Sequence, residues 1–279
     1  MTRPARLPSD QPLPTLRIVA AADVHLHEDA DPQRVARLVE QLQAEGALRN
    51  PPVAAALPGG GYVILDGANR TSALRELSAA FHLLQIVDYS APEVRLDVWH
   101  HLLREDGHAL ARLLPEQALV EVPGEDRLQR DLQQGRLACG LITENGVRGV
   151  RSGRPFPARV SVLRAVVGAY NGRLPIYRVL TTDREVLRGE YDHIGVLVVF
   201  PRLLKEEILS LAALPEKLPT GITRHVIPHR ALRVNLPLEA LRTPGSVEEK
   251  NVALHELIHG RLLAHRVRVY PEPTVLFDD

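Results

Sequence analysis

The chain has one cysteine, one methionine and one tryptophan among 279 residues, and aromatic residues make up only 4% of it. The single thiol, Cys139, excludes an internal disulfide framework and a clustered-cysteine zinc site, and it fits a reducing, cytoplasmic setting. Charge of one sign is also missing. The 34 basic and 34 acidic residues cancel, so no global field draws the protein to nucleic acid or to an anionic membrane, and neither partner is expected. No apolar run is long enough to cross a bilayer. Residues 1–14 hold four prolines and two arginines without an apolar centre, a pattern that cannot act as a signal peptide. Lysine is scarce as well: Lys205, Lys217 and Lys250 are the only ones, and none follows a glycine-rich turn. A phosphate site in this chain must therefore rely on arginine, backbone N–H groups or metal.

What is present is ordinary globular material, 45% apolar and 24% charged, enough to bury one large core or two modest ones. An apolar stretch over 16–22 reads as a strand. Asp31-Pro32 then opens a helix with a capping side chain and a pre-set first φ. Val35, Leu38, Val39 and Leu42 form its core face and Gly46 its left-handed stop. The apolar runs 53–57 and 61–65 flank Pro58-Gly59-Gly60 and predict a hairpin whose second strand delivers Asp66-Gly67. A helix over 69–77 and a strand over 83–87 follow, completing a compact α/β lobe over 15–105.

A second mixed α/β lobe is expected over 106–245. Its parts are an amphipathic stretch at 109–114, a strand at 120–122, a helix from 125 to 135, and a hairpin of 137–143 with 147–150 around Asn145-Gly146. A helix over 160–170, strands over 176–180 and 194–200 and a helix over 204–214 complete it. The proline-bearing stretch 215–237 reads as an irregular segment lying over a surface or a cleft. A third unit, 246–279, begins with the capping box Ser246 and Glu249 on a helix to about 264 and ends in an extended, docking tail over 267–276.

The chemistry sits at junctions. Asp66-Gly67-Ala68-Asn69-Arg70, with Thr71 behind it, lies where a buried strand becomes a helix. Free N–H groups and the helix dipole favour an anion there, and Gly67 lets a ligand approach the backbone. Arg70 is suited to fork onto phosphate oxygens, and Asp66 to hold Mg²⁺ or orient a donor. Glu28 precedes the Asp31 cap. Trp99 stands beside His100 and His101, and Thr223-Arg224-His225 lies inside the proline-bearing stretch. Each alone also fits a turn, a solvated acid or a core aromatic.

Together, in this order and spacing, they resemble the free-serine kinases built on the ParB/sulfiredoxin fold, over about 16–241. The anchors are His27-Glu28, Leu65-Asp66-Gly67 through Arg70, Asp88-Tyr89 ahead of Trp99, and Thr223-Arg224-His225-Val226-Ile227-Pro228. The resemblance implies a ParB/sulfiredoxin-like first lobe, a second α/β lobe and an active cleft between them. It also implies transfer of phosphate from ADP or ATP, with Mg²⁺ on the nucleotide, to the hydroxyl of free serine. By it, Glu28, which positions the serine hydroxyl, and Asp66 are catalytic, Gly67, Ala68, Asn69, Arg70 and Thr71 with Asp66 serve the phosphates, and Trp99, Thr223, Arg224 and His225 line the serine pocket. Ala68 and Asn69 stand where the archaeal enzyme's loop carries two histidines. The same fold serves sulfiredoxins, whose loop cysteine is replaced here by Ala68, and ParB-type regulators, whose DNA-binding helix-turn-helix has no counterpart in the expected second lobe. His255-Glu256-Leu257-Ile258-His259 matches a zinc-protease pattern, but no third ligand follows at a recognised spacing.

Overall fold

A computed structural model describes residues 13–104, 110, 114 and 118–270. Alternating and fully apolar runs build the first half as strands β1 (Thr15–Ala20), β2 (Val24–Leu26), β3 (Ala47–Leu48), β4 (Val53–Ala56), β5 (Tyr62–Asp66) and β6 (Phe81–Val87), with helices α1 (Pro32–Glu45) and α2 (Ala68–Glu76). Five of these strands form a mixed sheet in the order β1-β6-β4-β5-β2. The predicted hairpin is the antiparallel β4–β5 pair. Pro32 and the Asp31 side chain, which accepts from Gln33 N and Arg34 N, start α1, and Gly46 at φ +64° stops it. The first strand is shorter than expected: after Ala20 the chain turns through one 3₁₀ turn, Ala21–Asp23, so that β2 can pair parallel with β5.

The second half supplies β7 (Arg95–Val98), β8 (His100–Leu103), β9 (Leu119–Val122), α3 (Glu125–Gln133), β10 (Leu137–Thr143), β11 (Gly146–Arg151), α4 (Phe156–Tyr170), β12 (Tyr177–Val179), α5 (Arg184–Glu190), β13 (Val196–Val199) and α6 (Lys205–Leu211). A six-stranded antiparallel sheet runs β12-β8-β13-β10-β11-β9. The protein is thus a mixed α/β structure. The last elements are β14 (Thr223–Val226), β15 (Leu236–Pro237), α7 (Glu239–Arg242) and α8 (Val247–Leu263).

Three expectations differ from the structure. The strand β8 already belongs to the second sheet, ahead of the boundary expected at 105; all four of its residues are buried, so it carries no alternation to read. The stretch 215–237 is not wholly irregular, since Thr223–Val226 pairs with Arg95–Val98 and Leu236–Pro237 with Ala47–Leu48. These ladders are four and two residues long, too short for a periodic signal. Finally, 234–241 does not stay with the second lobe, because Val234, Leu236, Leu238 and Leu241 join Ile18, Val35, Leu42 and Leu74 in one core beneath α1 and α2. The tail over 1–12, most of the stretch expected at 109–114 and the end of the tail expected over 267–276 lie outside the described residues, although Leu110 and Leu114 are buried.

A second core joins the two sheets: Val53, Ala55, Val63 and Leu65 pack with Leu103, Ala138, Leu163, Val196 and Ile222. The capping box of Ser246 and Glu249 starts α8 as predicted. That helix covers the outer strand of the first sheet: Asn251 Oδ1 accepts from Ile18 N at 2.9 Å and its Nδ2 donates to Ile18 O at 2.7 Å. One side chain thereby replaces a missing neighbour strand, which protects the edge. Asn251→Ala leaves both Ile18 groups unpaired and is expected to lower the unfolding free energy by about 1–3 kcal/mol in urea denaturation, without changing ligand affinity.

Candidate active site

Asp66 ends β5 and Gly67 turns the chain into α2 at φ +98°, a conformation that suits glycine. Any Cβ at Gly67 would also stand 3.0 Å from the Pro52 side chain. No side chain caps α2, so its first N–H groups are left for a ligand. Gly67, Ala68 and Asn69 line an open cleft at that point, together with Glu28, Asp66 and Arg70. The cleft has a volume of about 510 Å³.

Arg70 and Asn69 are more tied to the protein than their sequence positions suggest. The Arg70 guanidinium donates to Asn50 O at 2.9 Å and to Asp66 Oδ2 at 3.0 Å, bracing the loop before β4. Asn69 Oδ1 accepts from Asp31 N at 2.8 Å and so joins the starts of α1 and α2. Arg230, unnoticed in the sequence, donates to the same Asp66 oxygen at 2.6 Å. Burial pushes the Asp66 carboxyl up, but Arg230 and Arg70 outweigh it and hold the group below the usual range, hence ionised. Thr71 is buried, and its hydroxyl has no hydrogen-bond partner among the described residues.

Glu28 is joined to a segment nearly two hundred residues away. It forms a parallel bridge with Leu218; Asp29 N donates to Leu218 O at 2.7 Å and Leu218 N to His27 O at 3.0 Å. Gly221 N at 3.4 Å and the Thr223 hydroxyl at 3.2 Å then donate to Glu28 Oε2. Desolvation raises the Glu28 carboxyl above its ordinary value, against the lowering pull of His27 and these donors. A raised carboxylate aimed into a cleft is the arrangement expected of a proton acceptor. His101, in the core of the second sheet, donates from Nε2 to Gly221 O at 2.9 Å while Tyr170 meets its Nδ1 at 2.7 Å, so the loop that holds Glu28 is itself held from below.

Sequence reasoning missed three arginines of this cleft. Arg34 and Arg37 on α1 and Arg178 on β12 line it beside Thr220. The i, i+3 spacing of Arg34 and Arg37 on a predicted helix was the one available signal; Arg178 gave none. Gly221 stands at φ +86°, a conformation that suits glycine, beside the Arg178 guanidinium. Burial and then Arg34 depress the Arg178 pKa, opposed by Glu28 and Asp31.

Thr223 and His225 face the first lobe from β14, and Arg224, alternating with them, faces the other way. Its guanidinium stacks 5.3 Å over the Trp99 ring and stands 3.5 Å from Asp97. His225 Nε2 meets the Tyr89 hydroxyl at 2.8 Å, and burial lowers its pKa to about 3, so it stays neutral. Of the predicted residues, therefore, Glu28, Asp66, Gly67, Ala68, Asn69 and Arg70 share one cleft, Thr223 reaches it through Glu28, and Trp99 with Arg224 forms a separate stacked pair. Cys139 is buried with its thiol pushed up to about 12. His255 and His259 lie on exposed α8 with rings 6.4 Å apart, and no cluster of three or more metal-binding side chains forms among the described residues. No helix among them is long and apolar enough to cross a membrane.

Fold and site together define a two-sheet α/β protein with an arginine-lined cleft and a part-buried carboxylate at its rim. No family model matches the chain. Among curated proteins it is 24% identical over 218 residues to the ADP-dependent L-serine kinase SerK of Thermococcus kodakarensis, covering 77% of this chain and 88% of that protein. It is 24% identical over 244 residues to the ATP-dependent L-serine kinase SbnI of Staphylococcus aureus, covering 84% and 87%. A solved C-terminally truncated SbnI superposes with a TM-score of 0.71 at 21% identity, covering 88% of this chain and 96% of that one. A free serine kinase in complex with AMP gives 0.71 at 20% identity, covering 83% and 95%. The resemblance read from the motifs thus reappears across most of both chains.

A carboxyl whose pKa is raised by folding opposes folding once ionised. Its penalty is absent below the unfolded value near 4.5 and grows as pH rises through the folded value. Glu28→Gln is therefore expected to melt higher than the parent protein at pH 8, with the gap closing below pH 4.5, as calorimetry across pH will show.

Proposed function

We propose that this protein is a free L-serine kinase that transfers a phosphoryl group from ADP or ATP to the serine hydroxyl to give O-phosphoserine, with a first lobe of the ParB/sulfiredoxin type. The observation that carries this reading is the position of Glu28, a carboxylate of raised pKa on the same cleft as the uncapped start of α2. One end of such a cleft suits phosphate and the other a hydroxyl. The similarity to named L-serine kinases supports the same assignment, and the antiparallel second sheet favours it over a DNA-associated regulator.

In the proposed reaction the serine oxygen forms the new bond to phosphorus, the bond from phosphorus to the bridging oxygen of the nucleotide breaks, and AMP or ADP leaves. Glu28 orients the hydroxyl and takes its proton late, as a loose transition state requires. The N–H groups of Gly67, Ala68 and Asn69, with Arg34, Arg37 and Arg178, neutralise the phosphates. Asp66 and Arg70 shape the loop, and Thr71 supports it from beneath. Thr223 and His225, which face the first lobe, are assigned to the amino acid, whereas Trp99 and Arg224 stack on each other on the opposite face of β14. Two guanidiniums occupy Asp66 Oδ2. Magnesium belongs to the nucleotide in this reading.

Incubation with Mg²⁺, serine and ADP or ATP in turn is expected to yield phosphoserine with one of the two nucleotides; no product with either defeats the proposal. Glu28→Ala is expected to lower kcat by about 10²–10⁴-fold while nucleotide affinity by calorimetry is retained.

A further inference from the structure

Arg178 stands apart from the other cations of the cleft. It lies on β12, the edge strand of the second sheet, directly opposite His101 of β8, and residues paired across an antiparallel ladder point to the same face. Both therefore meet Gly221. His101 Nε2 donates to Gly221 O at 2.9 Å, and the Arg178 guanidinium lies beside the same glycine. Gly221 N in turn donates to Glu28 Oε2 at 3.4 Å, so a single residue separates the guanidinium from the carboxylate assigned to the acceptor. Arg178 makes no hydrogen bond or ion pair among the described residues, which leaves its fork of N–H donors open to a ligand in the cleft it lines. The other arginines are placed differently. Arg70 is engaged by Asp66 and the Asn50 carbonyl, and Arg34 stands 3.8 Å from Asp31 on the first turn of α1, one turn before Arg37. The charge of Arg34 acts against that of Arg178, with Glu28 and Asp31 offsetting it. An anion held between the two guanidiniums relieves that repulsion.

We infer that Arg178 is a catalytic residue whose guanidinium contacts the phosphoryl group during transfer, from the acceptor side of the cleft, while Arg34 and Arg37 hold the phosphates of the bound donor. During that transfer the acceptor oxygen bonds to phosphorus and the bond from phosphorus to the bridging oxygen breaks. The leaving nucleotide keeps the electron pair, and Glu28 takes the hydroxyl proton. Arg178 neither gives nor takes a proton, because a guanidinium stays charged. Its part is electrostatic: a loose transition state spreads charge over the equatorial oxygens, and donors fixed in advance around them lower its energy. The ladder to His101 and the contact with Gly221 supply that fixity. They also place Arg178 on the lobe opposite the uncapped start of α2, so the moving group is met from both sides.

The role of Arg178 rests on the kinase reading for the identity of the acceptor, and two measurements separate them. In the serine assay, Arg178→Gln is expected to lower kcat about 10²–10³-fold and to leave KM for serine and the calorimetric affinity for nucleotide unchanged, the latter also showing that the variant is folded. Arg178→Lys keeps the charge without the planar fork and is expected to recover only part of the loss. Arg34→Gln is expected instead to weaken nucleotide binding. In the second measurement the nucleotide product, AMP or ADP, is titrated with and without aluminium fluoride, a mimic of the phosphoryl group during transfer. The fluoride is expected to tighten binding to the parent protein and not to Arg178→Gln. An Arg178→Gln enzyme with parental kcat, or one whose loss falls on KM for serine or on nucleotide affinity, overturns the inference and leaves the kinase reading standing. Tightening that survives in Arg178→Gln overturns it too. A parent protein that forms no phosphoserine, yet shows a fluoride-dependent gain that Arg178→Gln abolishes, sinks serine as the acceptor and keeps the role of Arg178.

Discussion

The clamp between Glu28 and residues 218–223 is the contact on which the rest of the site depends. It has a backbone part, the Leu218 bridge with its two amide bonds, and a side-chain part, the donors of Gly221 and Thr223. The backbone part sets where the second lobe's loop meets the first sheet. The side-chain part compensates for taking a carboxylate out of water, which would otherwise neutralise it. His101 extends the clamp into the second core, so packing far from the cleft bears on the carboxylate through one carbonyl.

Around that clamp the charges divide into two kinds. Arg70 and Arg230 are bound to Asp66, Arg70 also to the Asn50 carbonyl, and they hold the loop before α2. Arg34, Arg37 and Arg178 face the cleft, where an anion has reason to bind. Using arginine for both tasks suits the planar, many-donor guanidinium, which can brace several acceptors at once in a way an ammonium cannot. The lysines serve elsewhere: Lys205 donates to Tyr89 O and Ala91 O, and Lys217 to the carbonyls that end α6.

Much of the first lobe was legible because its signals are local. Asp31-Pro32, Gly46, Pro58-Gly59-Gly60 and Ser246 with Glu249 each act within a few residues, and the helices and hairpin they mark are present. The strands β7, β8, β14 and β15 were not legible, for two reasons. β8 is buried on both faces and lacks a period, and β7, β14 and β15 exist only because a partner distant in sequence lies alongside. The role of Arg70 went the same way. Its spacing from Asp66 permits the ion pair, but the carbonyl of Asn50 that completes its bonding is placed by the fold alone.

Residue types and their short-range spacing were enough to determine the mixed α/β class and to single out Glu28 and Asp66-Gly67, which share one cleft. Tertiary structure alone decided that Arg178 joins Arg34 and Arg37, that Arg224 turns from the face Thr223 presents, and that Thr223 meets both His27 and Glu28. The physical reason is that caps, turns and periodicity are written in neighbouring residues. The ionisation of a buried group depends instead on whatever chain folds over it, here from about two hundred residues away.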